Sequence, residues 1–201
     1  HIIKIDSIED VVGSSFSETI IGNGGVNYLD GGDGDDKIYG GANNDVLIAG
    51  LGDDLYDGGV GIDYVDYKYL DKLGQNVEID LVDGVAVSAT VTETEDIIHE
   101  MDELVSIENV IASKYADDIF GNSDGNLIYG RGGDDYIDGR DSTDFLEGQA
   151  GNDKLIGGQG NDTLKGGSDD DNLSGGADND HLYGGSGDDY LDGQSGKDIM
   201  F

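Results

Sequence analysis

Apolar residues recur at every ninth position along most of the chain. Residues 31 to 39 read GGDGDDKIY, 40 to 48 GGANNDVLI and 49 to 57 AGLGDDLYD. The same frame gives six units from Gly13 to Asp66 and ten more from Ala112 to Phe201. The eighth place is apolar or aromatic in all sixteen units, although apolar residues make up 36% of the chain. Chance would produce this with a probability of about 10⁻⁷. The period therefore indicates an ordered repeat protein.

Each unit predicts a tight turn followed by a very short strand. The first six places are rich in Gly, Asn and Asp, which tolerate the positive φ of tight turns. The last three places point outward, inward and outward around the apolar residue, as in a strand. Because one turn reverses the chain, two units return it to its starting side, about 4.8 Å further along. The pattern predicts an all-β, right-handed parallel β-roll of two thin sheets, with the eighth-place residues as its core.

The chain also contains an internal duplication. Residues 4 to 59 and 103 to 158 align at a constant offset of 99, so that IEDVVGSSFSETIIGN matches IENVIASKYADDIFGN. Each copy opens with a lead-in that continues the apolar ladder, at Val11 and Val110, but lacks the glycines. Since terminal repeats are typically atypical, we expect each lead-in to form a metal-free first coil that caps its roll.

Residues 67 to 106 break the period and predict a linker between two repeat blocks. Residues 77 to 81 and 85 to 91 alternate apolar and polar side chains around a short turn, which predicts a β-hairpin. Residues 92 to 96 predict a loop, and 96 to 104 predict one or two helical turns. The linker would join the two rolls, or alternatively contact a ligand as an insertion on one face. The predicted division is a lead-in plus six repeats over 1–66, the linker over 67–106, and a lead-in plus ten repeats over 107–201.

Composition and charge narrow the possible partners. The chain has 10 basic and 45 acidic residues, a net charge of −35, and 36 glycines. Taken alone, these values favour disorder, and the periodic order of the residues outweighs them. The scattered basic residues exclude a nucleic-acid partner and argue against an anionic membrane surface. No stretch approaches the roughly 20 apolar residues of a membrane span, so we expect no membrane insertion. Because cysteine is absent and the core is thin, a metal ion is the candidate for stabilising the fold.

The sixth place of the repeat carries the candidate chemistry. It holds Asp in thirteen units, Asn in two and Glu in one. In a roll, the sixth-place residues of every second unit lie one strand spacing apart, in two columns. Carboxylates about 5 Å apart repel each other by about 1 kcal/mol or more per pair, so we predict that a divalent cation closes the roll. The predicted metal ligands are Asp36, Asp45, Asp54, Asp63, Asp117, Asp135, Asp144, Asp153, Asp162, Asp171, Asp180, Asp189 and Asp198, with Asn27 and Asn126 as weaker ones.

The donor set favours calcium. Carboxylates and the carbonyls of Gly-rich turns can supply the six to eight oxygens that calcium prefers, whereas magnesium requires a tighter octahedron and zinc prefers Cys or His. Pairing units two apart gives at most twelve sites. Ser142 at a fourth place adopts left-handed φ less readily than Asn or Asp, which predicts a weaker site around Asp144. A merely solvated acidic face would show no fixed spacing, and nothing marks any two carboxylates as a catalytic pair.

The motif GGxGxDxUx, with U apolar, resembles the calcium-binding nonapeptide of RTX proteins over 144 of the 201 residues. This resemblance implies a parallel β-roll in bacterial proteins that are exported by type I secretion, unfolded inside the cell and folded by calcium outside. It also implies an extracellular location, and calcium ions and the secretion machinery as partners. The chain starts in a lead-in and stops at the last place of a nonapeptide, so we expect it to be part of a longer toxin, adhesin or exoenzyme.

Two functions from different classes follow. The first is a monomeric, non-enzymatic module that folds at the roughly 10⁻⁴ to 10⁻³ M calcium typical of extracellular modules and acts as a secretion aid and rigid spacer. The second is a carbohydrate- or surface-binding module, similar to the R-modules of alginate epimerases or to adhesin regions. The net charge of −35 argues against a uronate ligand unless bound calcium offsets it, and the basic face is limited to isolated residues such as Arg131 and Arg140.

Overall fold

The strands of the protein stack into two long sheets. The computed structural model describes residues 1–91 and 97–201. Twelve strands form sheet A and ten form sheet B. A 3₁₀ helix spans Lys68–Lys72. Nothing helical in the described ranges reaches the length and apolar character that crossing a bilayer requires.

The strands are short and, apart from the pairs made by β10, parallel to their neighbours. In chain order they are β1 Ile2–Lys4, β2 Asp10–Ser14, β3 Thr19–Ile21, β4 Tyr28–Gly32, β5 Lys37–Ala42, β6 Val46–Ile48, β7 Leu55–Val60, β8 Tyr64–Asp66, β9 Val77–Asp80, β10 Val85–Val91, β11 Ile97–Val105, β12 Asn109–Ile111, β13 Asp118–Phe120, β14 Leu127–Gly132, β15 Tyr136–Asp138, β16 Phe145–Ala150, β17 Lys154–Gln159, β18 Thr163–Ser168, β19 Asn172–Ala177, β20 His181–Ser186, β21 Tyr190–Ser195 and β22 Ile199–Met200. The order in sheet A is β1-β3-β5-β7-β11-β10-β9-β13-β15-β17-β19-β21, and in sheet B it is β2-β4-β6-β8-β12-β14-β16-β18-β20-β22.

Regular strands pair with the strand 18 residues further along the chain. Ile38 lies beside Tyr56 in sheet A, and Leu146 lies beside Leu164 in sheet B. Successive nonapeptides alternate between the sheets, so two of them make one turn of a solenoid with about ten turns. The predicted all-β parallel roll is confirmed.

The eighth-place side chains of both sheets form the core. From Ile20 to Leu182 they are at most 1% exposed, whereas at the last turn Leu191 is half-buried and Met200 is 50% exposed. Within the repeat blocks each unit sends one large apolar side chain inward. The core there is a single layer, and so thin a core stabilises a fold only weakly.

The segment between the repeat blocks adds three strands to sheet A, of which the middle one, β10, runs antiparallel to both of its neighbours. The predicted hairpin is confirmed, because β9 and β10 pair antiparallel. The predicted helical turns are wrong, because β11 occupies this stretch and forms seven residue pairs with β10 and three with β7. Strand edges require backbone partners, and this requirement overrides the helical spacing of the apolar residues. The predicted loop at 92–96 lies outside the described residues.

Both sheets continue through this segment. In sheet B, β12 pairs with β8 on one side and β14 on the other, so the second lead-in lies inside the solenoid and does not cap an end. In sheet A, β11, β10 and β9 stand between β7 and β13. Tyr67 and Leu70, at the 3₁₀ helix, join the core here. Sheet A is therefore wider than sheet B at the centre, and the core is thicker.

Candidate metal sites

The sixth-place side chains form two columns along the turns. In each column, Oδ1 of one Asp accepts a hydrogen bond from the backbone N–H of the sixth-place residue 18 positions earlier. The N···O distances run from 2.7 Å, for Asn27 to Asp45, to 3.1 Å, for Asp180 to Asp198. The same bond recurs at nearly every turn of the repeat blocks. One oxygen of each carboxylate therefore holds the register between turns.

The other oxygen of most of these carboxylates is buried without a partner. Among the described residues, nine sixth-place Oδ2 atoms have no hydrogen-bond donor. They belong to Asp36, Asp45, Asp63, Asp135, Asp144, Asp153, Asp162, Asp171 and Asp180. An unsatisfied buried polar atom costs on the order of 1–3 kcal/mol, and more when it is charged. A cation bound to these oxygens would remove that cost at every turn.

The glycine at the first place of each unit makes room for the unpaired oxygen. A Cβ added at Gly40 would lie 2.5 Å from Oδ2 of Asp45 and 2.7 Å from the carbonyl oxygen of Gly58, in the next turn. The same collision with the Asp of the unit occurs at Gly157 and elsewhere in the blocks. Carboxylate and carbonyl oxygens therefore converge on a space that a side chain would fill, which is the donor chemistry that calcium prefers.

Burial disfavours the charged form of these carboxylates. Burial, together with the charges of Asp117 and Asp153, raises the pKa of Asp135 to about 8 in spite of the backbone hydrogen bond from Asp117 that lowers it. Burial likewise raises the pKa of Asp144 to about 7 and that of Asp162 to about 6, although each accepts a backbone hydrogen bond that lowers it. Without a cation, ionising the columns therefore costs free energy that the fold does not compensate.

Several predicted ligands differ from this pattern. Oδ2 of Asp54 accepts a hydrogen bond from the Tyr56 hydroxyl at 2.7 Å, and Oδ2 of Asp117 accepts bonds from both the backbone N–H and the hydroxyl of Ser113. The amide oxygens of Asn27 and Asn126 accept backbone N–H groups at 2.9 Å. Asp189 and Asp198, in the last turn, are half-buried.

The left-handed positions of the turns are equivalent to one another. Ser142 has a φ of 78°, which lies among the values of Asn43, Asp169 and Asp178, from 70° to 80°. Asp144 also has a buried, unpaired Oδ2 like its neighbours. The geometry does not distinguish this site, and its lower affinity stays a prediction.

Two acidic residues continue the columns through the central segment and were missed from the sequence. Oδ1 of Asp102 accepts the backbone N–H of Asp54 at 3.0 Å, and Oε2 of Glu108 accepts that of Asp63 at 2.8 Å. Burial and the charge of Asp54 raise the pKa of Asp102 to about 8. The inserted strands replace the usual spacing of 18 residues by 48 and 45. The detectable signal is an apolar residue two places after each acid, as in the nonapeptides.

A second ladder, at the fifth place, was also missed. Oδ1 of Asp134 accepts the backbone N–H of Asn152 at 2.8 Å, Asn152 accepts that of Asp170, and Asp170 accepts that of Asp188. These side chains are exposed. Asn or Asp at the fifth place is the sequence signal, and the ladder adds a hydrogen bond between turns outside the sixth-place columns.

The carboxylates of the two columns offer oxygen donors alone in the part of the chain that the structure describes. There, no three His, Cys, Asp or Glu side chains come together as a possible metal site. Any metal site in these turns therefore needs backbone carbonyl oxygens beside its carboxylates. A hard cation such as calcium accepts both kinds of oxygen as ligands.

Comparison with known families agrees with this chemistry. The model of the RTX calcium-binding nonapeptide repeat matches residues 12–47, 37–65, 111–146, 138–173 and 165–200. No curated protein matches the chain. The matched segments cover well over half of the chain and coincide with the turns that bury the Asp columns. The chain therefore belongs to the RTX calcium-binding nonapeptide repeat family, whose repeats bind calcium ions.

Proposed function

We propose that this chain is a calcium-responsive folding module. The observation that carries the proposal is the set of nine buried, unpaired Oδ2 atoms. In the folded chain without a cation, each adds an unfavourable term, whereas in the unfolded chain water solvates the same oxygens. Calcium binds the folded turns and not the unfolded ones, so its binding free energy becomes folding free energy. Such modules respond at about 10⁻⁴ to 10⁻³ M calcium.

The biological role follows from the difference in calcium concentration, which is low inside the cell and high outside it. RTX repeat proteins are typically extracellular bacterial proteins exported by type I secretion. The chain would pass through the exporter unfolded and fold outside, which also hinders its return. The folded solenoid of about ten turns would then serve as a rigid spacer, about 48 Å long at one strand spacing per turn, within a toxin, adhesin or exoenzyme.

The two arginines give no support to an anionic sugar as ligand. Arg131 forms a two-point ion pair with Asp71, at 2.9 and 3.1 Å, and Arg140 forms one with Asp80, at 2.7 and 3.1 Å. Their guanidinium groups are thus engaged within the protein. We do not favour the uronate-binding alternative on this ground.

Circular dichroism and small-angle scattering during a calcium titration test the proposal. In chelator, we expect most of the chain to be expanded and poor in β-structure, and millimolar calcium should convert it to a compact β-rich form. Magnesium at the same concentration is the control and should have little effect. Full compactness in chelator would overturn the proposal.

A further inference from the structure

At the centre of the solenoid, hydroxyl groups bind the carboxylate oxygen that is left unpaired in most other turns. The backbone N–H of Gly50 donates to the Tyr56 hydroxyl at 3.0 Å, and this hydroxyl donates to Oδ2 of Asp54 at 2.7 Å. Beside them, the Tyr67 hydroxyl donates to Oδ2 of Asp102 at 2.8 Å. Both tyrosines are at most 2% exposed. Two neighbouring carboxylates of one column are therefore satisfied by the protein itself.

The carboxylate of Asp117, on the far side of the inserted strands, also accepts hydrogen bonds from protein donors. The Ser113 hydroxyl lies 3.0 Å from both carboxylate oxygens of Asp117, and the Ser113 N–H donates to Oδ2. Oδ1 of Asp117 accepts the backbone N–H of Val77 at 2.7 Å, which links the column to β9. No donor of this kind reaches the carboxylates with unpaired oxygens in the described repeats.

The residue type at the first place of the repeat independently distinguishes the units that contain Asp54 and Asp117. It is Gly in fourteen of the sixteen units and Ala in two, at Ala49 and Ala112. These are the units that contain Asp54 and Asp117. In the eleven units that combine a first-place Gly with a sixth-place Asp, a Cβ at the first place would collide with Oδ2 of that Asp. Among the thirteen units with Asp at the sixth place, a methyl group stands at the first place only where Oδ2 has turned to a hydroxyl donor, so sequence and geometry distinguish the same pair of turns.

The inserted segment is also joined to both repeat blocks without ions. The Tyr69 hydroxyl donates to Oδ1 of Asp33 at 2.9 Å, in the first block. The ion pairs of Asp71 with Arg131 and of Asp80 with Arg140 join the segment to the second block. Additional buried apolar side chains thicken the core at this point. They are Tyr67, Leu70, Val77, Ile79, Ala86, Leu104 and Ile107.

We propose that residues 49–91 and 97–120, here called the central unit, stay folded without calcium, and that the calcium-dependent turns add to both of its ends. The inference rests on the proposed function, because it specifies the part of the chain for which calcium is not required. Asp54 and Asp117 then belong to the fold and do not bind calcium. Asp63 keeps the one buried, unpaired Oδ2 of the described central unit.

Hydrogen–deuterium exchange of the full chain in chelator, followed by mass spectrometry, tests the inference. Peptides within 54–60, 77–80 and 102–120 should exchange at least about tenfold more slowly than peptides within 144–198. Adding calcium should protect the second group and change the first group little. Fast exchange in both groups would overturn the inference and leave the proposed function standing. Protection of both groups in chelator would overturn the proposed function.

Removing the hydroxyls tests the cause of the protection. The double variant Tyr56→Phe, Tyr67→Phe should lose the slow exchange of the central unit in chelator, because two buried carboxylates lose their donors. Tyr129→Phe, on an outward ninth place, is the matched control and should exchange like the natural chain. If the double variant is unfolded even with calcium, Ser113→Ala replaces it and should lose protection within 113–120. Unchanged central protection in the double variant would contradict the role of the hydroxyls.

Discussion

The central unit and the later repeats compensate the same columns of acid in two different ways. Between Asp135 and Asp180, successive turns repeat one geometry, with a first-place glycine, an unpaired Oδ2 and a single-layer core. In the central unit, hydroxyl donors occupy the carboxylate oxygens and extra apolar side chains thicken the core. Buried carboxylates can thus be satisfied reversibly, by an ion from solution, or permanently, by a neighbouring side chain.

The largest difference between the two regions is expected when one carboxylate of each is neutralised. Asp162→Asn should bind at least one calcium fewer and lose about 3–5 kcal/mol of unfolding free energy in millimolar calcium, because the remaining buried charge is left unbalanced. Asp117→Asn should bind the same number of ions and lose about 1–2 kcal/mol, the value of its hydrogen bonds. Native mass spectrometry counts the ions and urea unfolding measures the stability. Equal ion loss in both variants would erase the distinction.

A methyl group at the first place should have a smaller effect. Gly166→Ala should cost about 1–3 kcal/mol and raise the calcium concentration at the folding midpoint, because the Cβ meets Oδ2 of Asp171. The reverse exchange in the central unit, Ala112→Gly, should cost about 0.5–1 kcal/mol through backbone entropy and leave the midpoint unchanged. Calcium titrations followed by circular dichroism compare the two variants. A midpoint that is unchanged in Gly166→Ala would contradict the steric argument.

The smallest effect is expected at the ion pair between β9 and the second block. Arg140→Lys should cost about 1 kcal/mol, because lysine cannot form the two parallel bonds to Asp80. Partial burial opposes ionisation of Asp80, but the hydrogen bonds and charge of Arg140 and the backbone N–H groups of Asp83 and Val82 together outweigh it and lower the pKa below 3.8. The contribution is therefore complete at neutral pH and is lost as pH falls through this lowered pKa. Unfolding at pH 7 and pH 5 should give the same difference between variant and natural chain, and a difference that shrinks at pH 5 would contradict this assignment.

The sequence was most informative where the chain is most regular. The eighth-place ladder and the sixth-place Asp predicted the parallel roll, its core and the carboxylate columns. The pattern failed at β11, because its apolar residues also fit a helix and the deciding factor is the strand edges of β7 and β10. It also failed at Asp102, which an insertion separates from its partner Asp54. Tyr56 occupies an ordinary core position in the ladder, so its hydroxyl bond depends on side-chain direction, which the pattern does not contain.

The hydrogen bond between sixth-place residues gives the solenoid a direction. The N–H donor belongs to the earlier turn, and the carboxylate acceptor belongs to the turn that follows. In the regular repeats each turn is therefore held by a carboxylate 18 positions later, as Asp198 holds Asp180. Shortening the chain from its carboxyl end removes the carboxylate acceptor of the preceding turn each time. Shortening it from the amino end leaves all the remaining hydrogen bonds of this kind in place.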